Sequence, residues 1–174
     1  MKFYKAGAIP EVPNMYFIYG DGGTGKTSLF KQFKGKKLLF SFDKSTNPLR
    51  HQKDTDFMVV EEDVANIQQL TVGFLQRAIK SGEYQAIALD NVTSLQNLVL
   101  ENIDNASKDN RQNYQKLQIW FRQLATMLRE SNVTIYATAH QVDNGAGGLT
   151  GAGRYGADMN EKTFNAFTSV FDFV

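Results

Sequence analysis

Short apolar runs alternate along the chain with longer stretches in which apolar residues return every three or four positions. Met15-Tyr16-Phe17-Ile18-Tyr19 is a run suited to a buried parallel strand. Residues 28–34 then carry Leu29, Phe30 and Phe33 at helical spacing, and Gly35 stands where a helix C-cap belongs. Further strands are predicted at 37–42, 57–60, 86–89 and 133–139, the first two separated by a polar stretch from Asp43 to Asp56 that contains Pro48. Asp63 is expected to cap a helix whose Ile67, Leu70, Phe74, Leu75, Ala78 and Ile79 share one face, with Ser81-Gly82 ending it. A second helix is predicted over 94–104 from Leu95, Leu98, Val99 and Ile103, followed by a polar loop to Asn113. The strongest helical pattern runs from Tyr114 to Glu130, with Leu117, Trp120, Phe121, Leu124, Met127 and Leu128 as its buried stripe. Six glycines between Gly145 and Gly156 mark a loop that costs entropy to order. The chain closes on Phe167 to Val174, expected as a final strand.

Strands alternating with helices imply an α/β fold with a mainly parallel sheet covered on both faces, in three layers. Right-handed crossovers place a ligand at the C-terminal edge of such a sheet. The 174 residues fit one domain over 14–174, preceded by a lead-in segment, 1–13, punctuated by Pro10 and Pro13. Residues are 42% hydrophobic and 21% charged, as in soluble globular proteins. No apolar run reaches membrane-spanning length and the N-terminus lacks a secretory apolar region, so a cytoplasmic protein is expected. The absence of cysteine excludes disulfides and zinc–thiolate sites. His51 and His140 are too few and too far apart in sequence to suggest a metal cluster. A net charge of +1 gives no strong global field, so any nucleic-acid contact must come from a local patch.

Candidate chemistry begins between the first strand and the first helix. Gly20-Asp21-Gly22-Gly23-Thr24-Gly25-Lys26-Thr27 satisfies the phosphate-binding pattern G-x-x-x-x-G-K-[ST] at every fixed position. The glycines let the backbone turn where a Cβ would clash, so that successive N–H groups face the phosphates. Lys26 reaches the terminal phosphates, Thr27 offers a hydroxyl to Mg²⁺, and Ser28 continues the nucleotide-binding run into the helix. That helix start adds its partial positive charge. The strand–loop–helix setting is the one the motif requires, which separates it from a chance glycine-rich turn.

Asp90 follows the apolar run Ala86-Ile87-Ala88-Leu89, as does the Mg²⁺-directing carboxylate at the end of a buried strand in P-loop enzymes. An aspartate also commonly begins a turn. The strand near 37–42 is expected between the P-loop strand and the Asp90 strand, where a polar residue can sit beside the γ-phosphate.

With these residues in place, the chain from about Met15 onward resembles the RecA-like ATPase core. It is most similar to the phage-encoded nucleotide-binding proteins of single-strand annealing recombination. The resemblance rests on Tyr19-Gly20 through Ser28, on Ala88-Leu89-Asp90-Asn91-Val92-Thr93-Ser94-Leu95, on Thr138-Ala139-His140-Gln141, and on Phe164 to Val174. It implies a RecA-like P-loop NTPase fold, ATP and Mg²⁺ as ligands, single-stranded DNA as a partner, and self-assembly with nucleotide near subunit interfaces. It implies that Gln141 senses the γ-phosphate and relays nucleotide state into the glycine-rich loop at 142–158; the residue equally suits an ordinary strand end at the surface. In that loop Arg154 and Tyr155 would offer a phosphate contact and a stacking face for single-stranded DNA, with Lys108 and Arg111 adding charge. Each of the four also reads as an ordinary solvated side chain.

One position departs from the pattern. RecA-like cores carry a water-activating glutamate two residues beyond the aspartate that ends the second strand. If Asp43 is that aspartate, the glutamate position holds Ser45, a poor general base. Asp43 itself, Glu61 or Glu62 could serve instead, and the trans-acting lysines of RecA filaments have no clear counterpart, Lys162 being near but out of register. The leading expectation is therefore a RecA-like phage ATPase that couples ATP·Mg²⁺ to single-stranded DNA. The alternative is a nucleotide-dependent DNA-binding or assembly protein with negligible hydrolysis. A small-molecule kinase would need an arginine-bearing lid, and the glycine-rich loop has only Arg154. A GTPase is disfavoured because no N-K-x-D tetrapeptide occurs.

Overall fold

In a computed structural model the described residues are 1–61, 64–103, 110–145 and 154–174. Asp63, the expected helix cap, and the candidates Glu62 and Lys108 lie outside them. The elements are β1 (Met15–Gly20), α1 (Lys26–Leu29), β2 (Lys37–Ser41), β3 (Thr55–Val59), α2 (Ile67–Ser81), β4 (Ala86–Asp90), α3 (Val92–Glu101), α4 (Asn110–Arg129), β5 (Thr134–Asp143), β6 (Tyr155–Ala157) and α5 (Glu161–Thr168). Five strands pair in parallel in the order β1-β5-β4-β2-β3, and β6 adds antiparallel to β5. This is a mainly parallel, helix-flanked α/β sheet with the P-loop following its first strand. Because strand side chains alternate between faces, the strands bury two distinct apolar layers.

The larger layer holds Phe17, Phe40, Leu89 and Ala137 against Leu75 of α2, Leu95 of α3, Phe121 of α4 and Phe167 of α5. The smaller holds Tyr136, Leu39, Ala88 and Ala86 against Phe30, Leu49 and Phe33, from the turns after α1 and before β3. The sheet is thus covered unevenly, by four helices on one side and by the P-loop helix with short 3₁₀ turns on the other. Phe57 packs with the second set.

Several expected elements shift. Apolar spacing over 28–34 yields a single helical turn and a 3₁₀ turn, Phe30–Gln32, because Phe30 and Phe33 are drawn down onto Tyr136 at ring separations of 5.7 and 5.3 Å. Helix α4 starts at Asn110, inside the expected loop. The expected final strand is instead α5 followed by a short tail in which Phe173 makes an isolated parallel bridge to Tyr16. Phe164, Phe167 and Phe171 recur at helical spacing and converge on Phe17 at 5.5, 6.2 and 6.0 Å. That clustering on one face outweighs the strand propensity of a run rich in phenylalanine. The strand between β1 and β4 is β5, not the one near 37–42, which lies outside β4.

The tail also closes one sheet edge. Phe17 N donates to Phe173 O at 2.8 Å, and Arg129 holds Asp172 through two hydrogen bonds of 2.7 and 3.0 Å. Next to the other edge strand, β2 begins on a buried lysine. The Lys37 side chain is 1% exposed; it donates to Phe33 O at 3.0 Å and pairs with Asp54, whose side chain is 50% exposed. Removing the carboxylate leaves the buried ammonium under-compensated. Asp54→Ala is expected to cost about 2 kcal/mol, less than for a fully buried pair because water screens Asp54. A urea melt reads the change as a lower midpoint, and an unchanged midpoint would show that the pair contributes nothing.

Candidate functional site

The loop of residues 20–27 joins the C-terminal end of β1 to α1. Gly23 and Gly25 have φ of 78° and 89°, the left-handed region that strains any residue with a Cβ. Gly20 answers a different demand, since a Cβ there would stand 3.3 Å from Thr24 Oγ1. The Thr24 hydroxyl donates to Asp21 O at 2.8 Å and closes the loop on itself. Gly22, Gly23, Gly25, Lys26, Thr27 and Ser28 line a cleft of about 340 Å³. Asp43, Ser45, Asp90, Asn91 and His140 face them across it. The structure therefore brings together the P-loop, Asp90 and Asp43.

Lys26 donates from Nζ to Gly20 O and Asp21 O, both at 2.7 Å. Partial burial lowers its pKa, against the opposing pull of the carboxylates of Asp90, Asp21 and Asp43. Tyr136 fixes the backbone at this point: its hydroxyl donates to Lys26 O at 2.7 Å. Burial, reinforced by the charge of Asp90, pushes the Tyr136 phenol well above its ordinary range and keeps it a donor.

Asp90 is 3% exposed. Thr27 donates to its Oδ2 at 2.7 Å, and Thr138 of β5 donates to its Oδ1. Burial raises the Asp90 pKa and the charge of Asp43 adds to that, while the two hydroxyls and Lys26 pull the other way. Thr27 and Asp90 fit a hard divalent cation: both present oxygen, and the Thr27 hydroxyl keeps its lone pairs after donating. An acid whose folded pKa lies above its unfolded value costs stability when ionised, and that cost vanishes as pH falls below the unfolded value. Asp90→Asn is therefore expected to raise the melting temperature of the ligand-free protein at neutral pH by a few degrees, about 2–4 °C per kcal/mol at this size. The gain should shrink on acidification. Melting curves at neutral and acidic pH check it, and a lower melting temperature at pH 7 would contradict it.

Beside Asp90 lies a second network. Asn91 Nδ2 donates to Asp43 Oδ2 at 2.6 Å and lies 3.1 Å from His140 Nε2. Asn91 Oδ1 accepts from Ser94 N at 2.8 Å, capping α3 and fixing which end of the amide faces the cleft. His140 Nε2 is accordingly the acceptor, with the ring proton on Nδ1. Asp43 also accepts from Ser45 N at 2.9 Å. Its carboxylate is thus held by donors on two sides within the cleft.

Strand alternation sorts the remaining expectations. Tyr136, Thr138 and His140 share the face of β5 that looks toward Asp90, and Gln141 falls on the other. Gln141 lines a neighbouring hollow with Tyr19, Asp21 and Leu29, reached from the other side of Lys26. It also opens the β5–β6 hairpin, in register with Ala157. Glu61 lines an apolar cavity beside β3, apart from the cleft. Arg154 makes hydrogen bonds of 3.1, 3.1 and 2.8 Å to Asp143 and lies 5.1 Å from the Tyr155 ring centroid. Its charge is therefore already matched across the hairpin, while Tyr155 is exposed. Arg111 and Lys162 meet in one hollow with Tyr114 and Asn160, between the starts of α4 and α5.

Sequence reasoning missed Thr138, Asn91, His140 and Tyr136 as parts of the site. The period-2 pattern of residues 134–140 held a signal for three of them, because Thr134, Tyr136, Thr138 and His140 put polar-tipped side chains on one face of a strand whose other face is apolar.

A family model described as an AAA domain matches residues 12–174. No curated protein matches the sequence. Among solved structures, the fold is similar to that of a KaiC-like protein from the hyperthermophilic archaeon Pyrococcus horikoshii OT3, with a TM-score of 0.48 and 15% identity. That similarity covers 78% of this chain and 64% of the other, so the chain spans less than two thirds of its neighbour's length.

Proposed function

From the premise that the chain belongs to the AAA domain family, we propose that it binds ATP with Mg²⁺, hydrolyses it, and couples nucleotide state to single-stranded DNA in phage recombination or replication. The observation that carries the reading is the cleft in which the P-loop, Asp90 and Asp43 face one another. Lys26 and the glycine backbone would hold the phosphates, and Thr27 with Asp90 would hold the metal. The metal, when bound, neutralises charge on the phosphates and orients them. The chain's own part is to position and to accept a proton. Asp43, kept in place by Asn91 and Ser45 N, is the carboxylate that takes the proton of the attacking water.

Coupling to DNA runs through β5. Thr138 hydrogen-bonds Asp90, His140 meets Asn91, and Asp158 N donates to His140 O at 2.8 Å. Gln141 and its neighbours continue into the hairpin that carries Tyr155 and Arg154. A change at the phosphates therefore has a short covalent and hydrogen-bonded route to an exposed aromatic ring at the base of the glycine-rich loop. Arg111 and Lys162 supply a second basic contact, and copies of the chain assemble with nucleotide near their interfaces.

The second reading, nucleotide-dependent DNA binding with negligible turnover, is favoured by one observation: Ser45 occupies the cleft where the resemblance calls for glutamate. Phosphate release with and without single-stranded DNA separates the two. DNA-stimulated release supports the ATPase. Equal DNA binding with ATP and a non-hydrolysable analogue, without release, supports the second reading.

A further inference from the structure

The charge of the chain is unevenly spread. Residues 22–53 hold eight lysines and arginines against one carboxylate, Asp43. That is a net +7 in a chain whose total is +1, so the remaining residues carry −6. The same segment covers the thin side of the sheet, where its Phe30, Phe33 and Leu49 join the apolar layer of Leu39, Ala88 and Tyr136. Its cations stay outside. Lys31, Lys34, Lys44, Arg50 and Lys53 are all exposed.

The other three of the eight are engaged. Lys26 belongs to the cleft, Lys36 bridges Asp56 and Glu83, and Lys37 is buried against Asp54. Among the described residues, the five exposed cations form no salt bridge. Arg50 donates from Nε to His51 Nε2 at 3.0 Å, a neutral partner or a fellow cation, never a counter-charge. The five follow β2 from end to end: Lys44 stands beyond its C-terminal end, while Lys34 and Lys53 precede β2 and β3. The span from Lys37 to Ser41 alone covers about 13 Å. A duplex presents about eight phosphates over that length, more than the cations can match.

What the face lacks narrows the partner. Single strands are held by aromatic faces on which bases stack, and here Phe30 and Phe33 are turned onto Tyr136. Membrane surfaces and protein partners call for apolar side chains beside the charge. Leu29, the large apolar side chain left exposed in this segment, lines the hollow beside Gln141 instead. A row of cations without apolar anchors suits a regular array of phosphates.

We propose that this basic face binds the phosphate backbone of duplex DNA, independently of sequence, as a surface separate from the hairpin that carries Tyr155. The contact goes beyond the reading above and needs neither nucleotide nor the hairpin. Together with that reading it gives one molecule two DNA surfaces, able to hold a single strand beside a duplex.

The test is fluorescence anisotropy of a labelled blunt-ended DNA duplex on the full chain, without nucleotide, from 50 to 200 mM salt. Five contacts predict that log affinity falls against log salt with a slope near about −4.5. Lys31→Gln/Lys34→Gln/Arg50→Gln/Lys53→Gln alters only exposed positions outside the cleft. It should weaken duplex binding at least about a hundredfold at 50 mM salt and flatten the slope to about −1. ATP affinity should not change. Tyr155→Ala should leave duplex affinity and slope as in the parent protein. A quadruple variant with parent-like affinity and slope overturns the assignment, as does a parent protein that ignores the duplex at 50 mM salt. Tighter binding to phosphatidylserine vesicles than to the duplex overturns the choice of partner. Duplex binding lost equally in Tyr155→Ala overturns the separation of the two surfaces. Duplex binding that behaves as stated, in a protein indifferent to single strands, upholds this surface and removes the single-strand part of the earlier reading.

Discussion

Lys26→Ala is expected to abolish measurable ATP turnover and to weaken ATP binding by at least about a hundredfold, two charge-assisted hydrogen bonds being enough for that loss. Among the described residues that line the cleft, Lys26 is the only lysine or arginine. No other side chain there can replace a mobile cation at the terminal phosphates. The fold should tolerate the change. The amine is partly exposed and its two bonds go to loop carbonyls that water can reach, so the melting temperature should move by no more than a few degrees. Calorimetric titration with ATP·Mg²⁺ and phosphate release read the two effects separately. Parent-like ATP affinity in the variant would remove the P-loop from the account.

Asp43→Asn separates turnover from binding. The asparagine keeps the shape and one acceptor oxygen, enough for Asn91 Nδ2 or Ser45 N but not for both, and it cannot take a proton from water. Loss of a general base lowers turnover by about 10²–10⁴-fold. ATP affinity should stay within a few-fold, because no phosphate contact is assigned to Asp43. Single-turnover hydrolysis checks this at saturating ATP. An undiminished rate would return the role of the base to Glu61 or Glu62.

Much of this was legible before the structure, and for local reasons. The P-loop is a contiguous motif whose glycines answer backbone demands within eight residues, so strand, loop and helix declare themselves together. Asp90 was readable because a carboxylate ending a fully apolar run has few other places to go. What stayed hidden depends on order in space. Residues 37–42 and 134–143 are both good strands, and nothing local says which of them stands beside the P-loop strand; pairing through side chains far apart in sequence decides it. The pleat likewise parts two neighbours that look alike in sequence, turning His140 toward Asn91 and Gln141 toward a hollow it shares with Gly25 and Lys26 of the P-loop. The closing segment was misread as a strand because Phe167, Phe171 and Phe173 fit a period of two as readily as Phe164, Phe167 and Phe171 fit a helical one. Only their convergence on Phe17, more than 140 residues earlier in the chain, selects the helix. Asn91 looked like a mere companion of Asp90, and its value lies in joining Asp43, His140 and the start of α3 through one amide.

The uneven covering of the sheet gives the site its setting. The helix-rich layer supplies most of the buried apolar surface, leaving the thinner face to hold the P-loop turn, Asp90 and the polar face of β5. The larger apolar layer and the candidate site thus sit on opposite sides of one sheet.

The most direct measurement is phosphate release at saturating ATP and Mg²⁺, with and without single-stranded DNA, on the full chain and on Lys26→Ala. The account predicts turnover by the parent protein that rises when DNA is added and vanishes in the variant. Turnover unchanged by DNA would contradict the coupling, and failure of the parent protein to bind ATP at all would contradict the site.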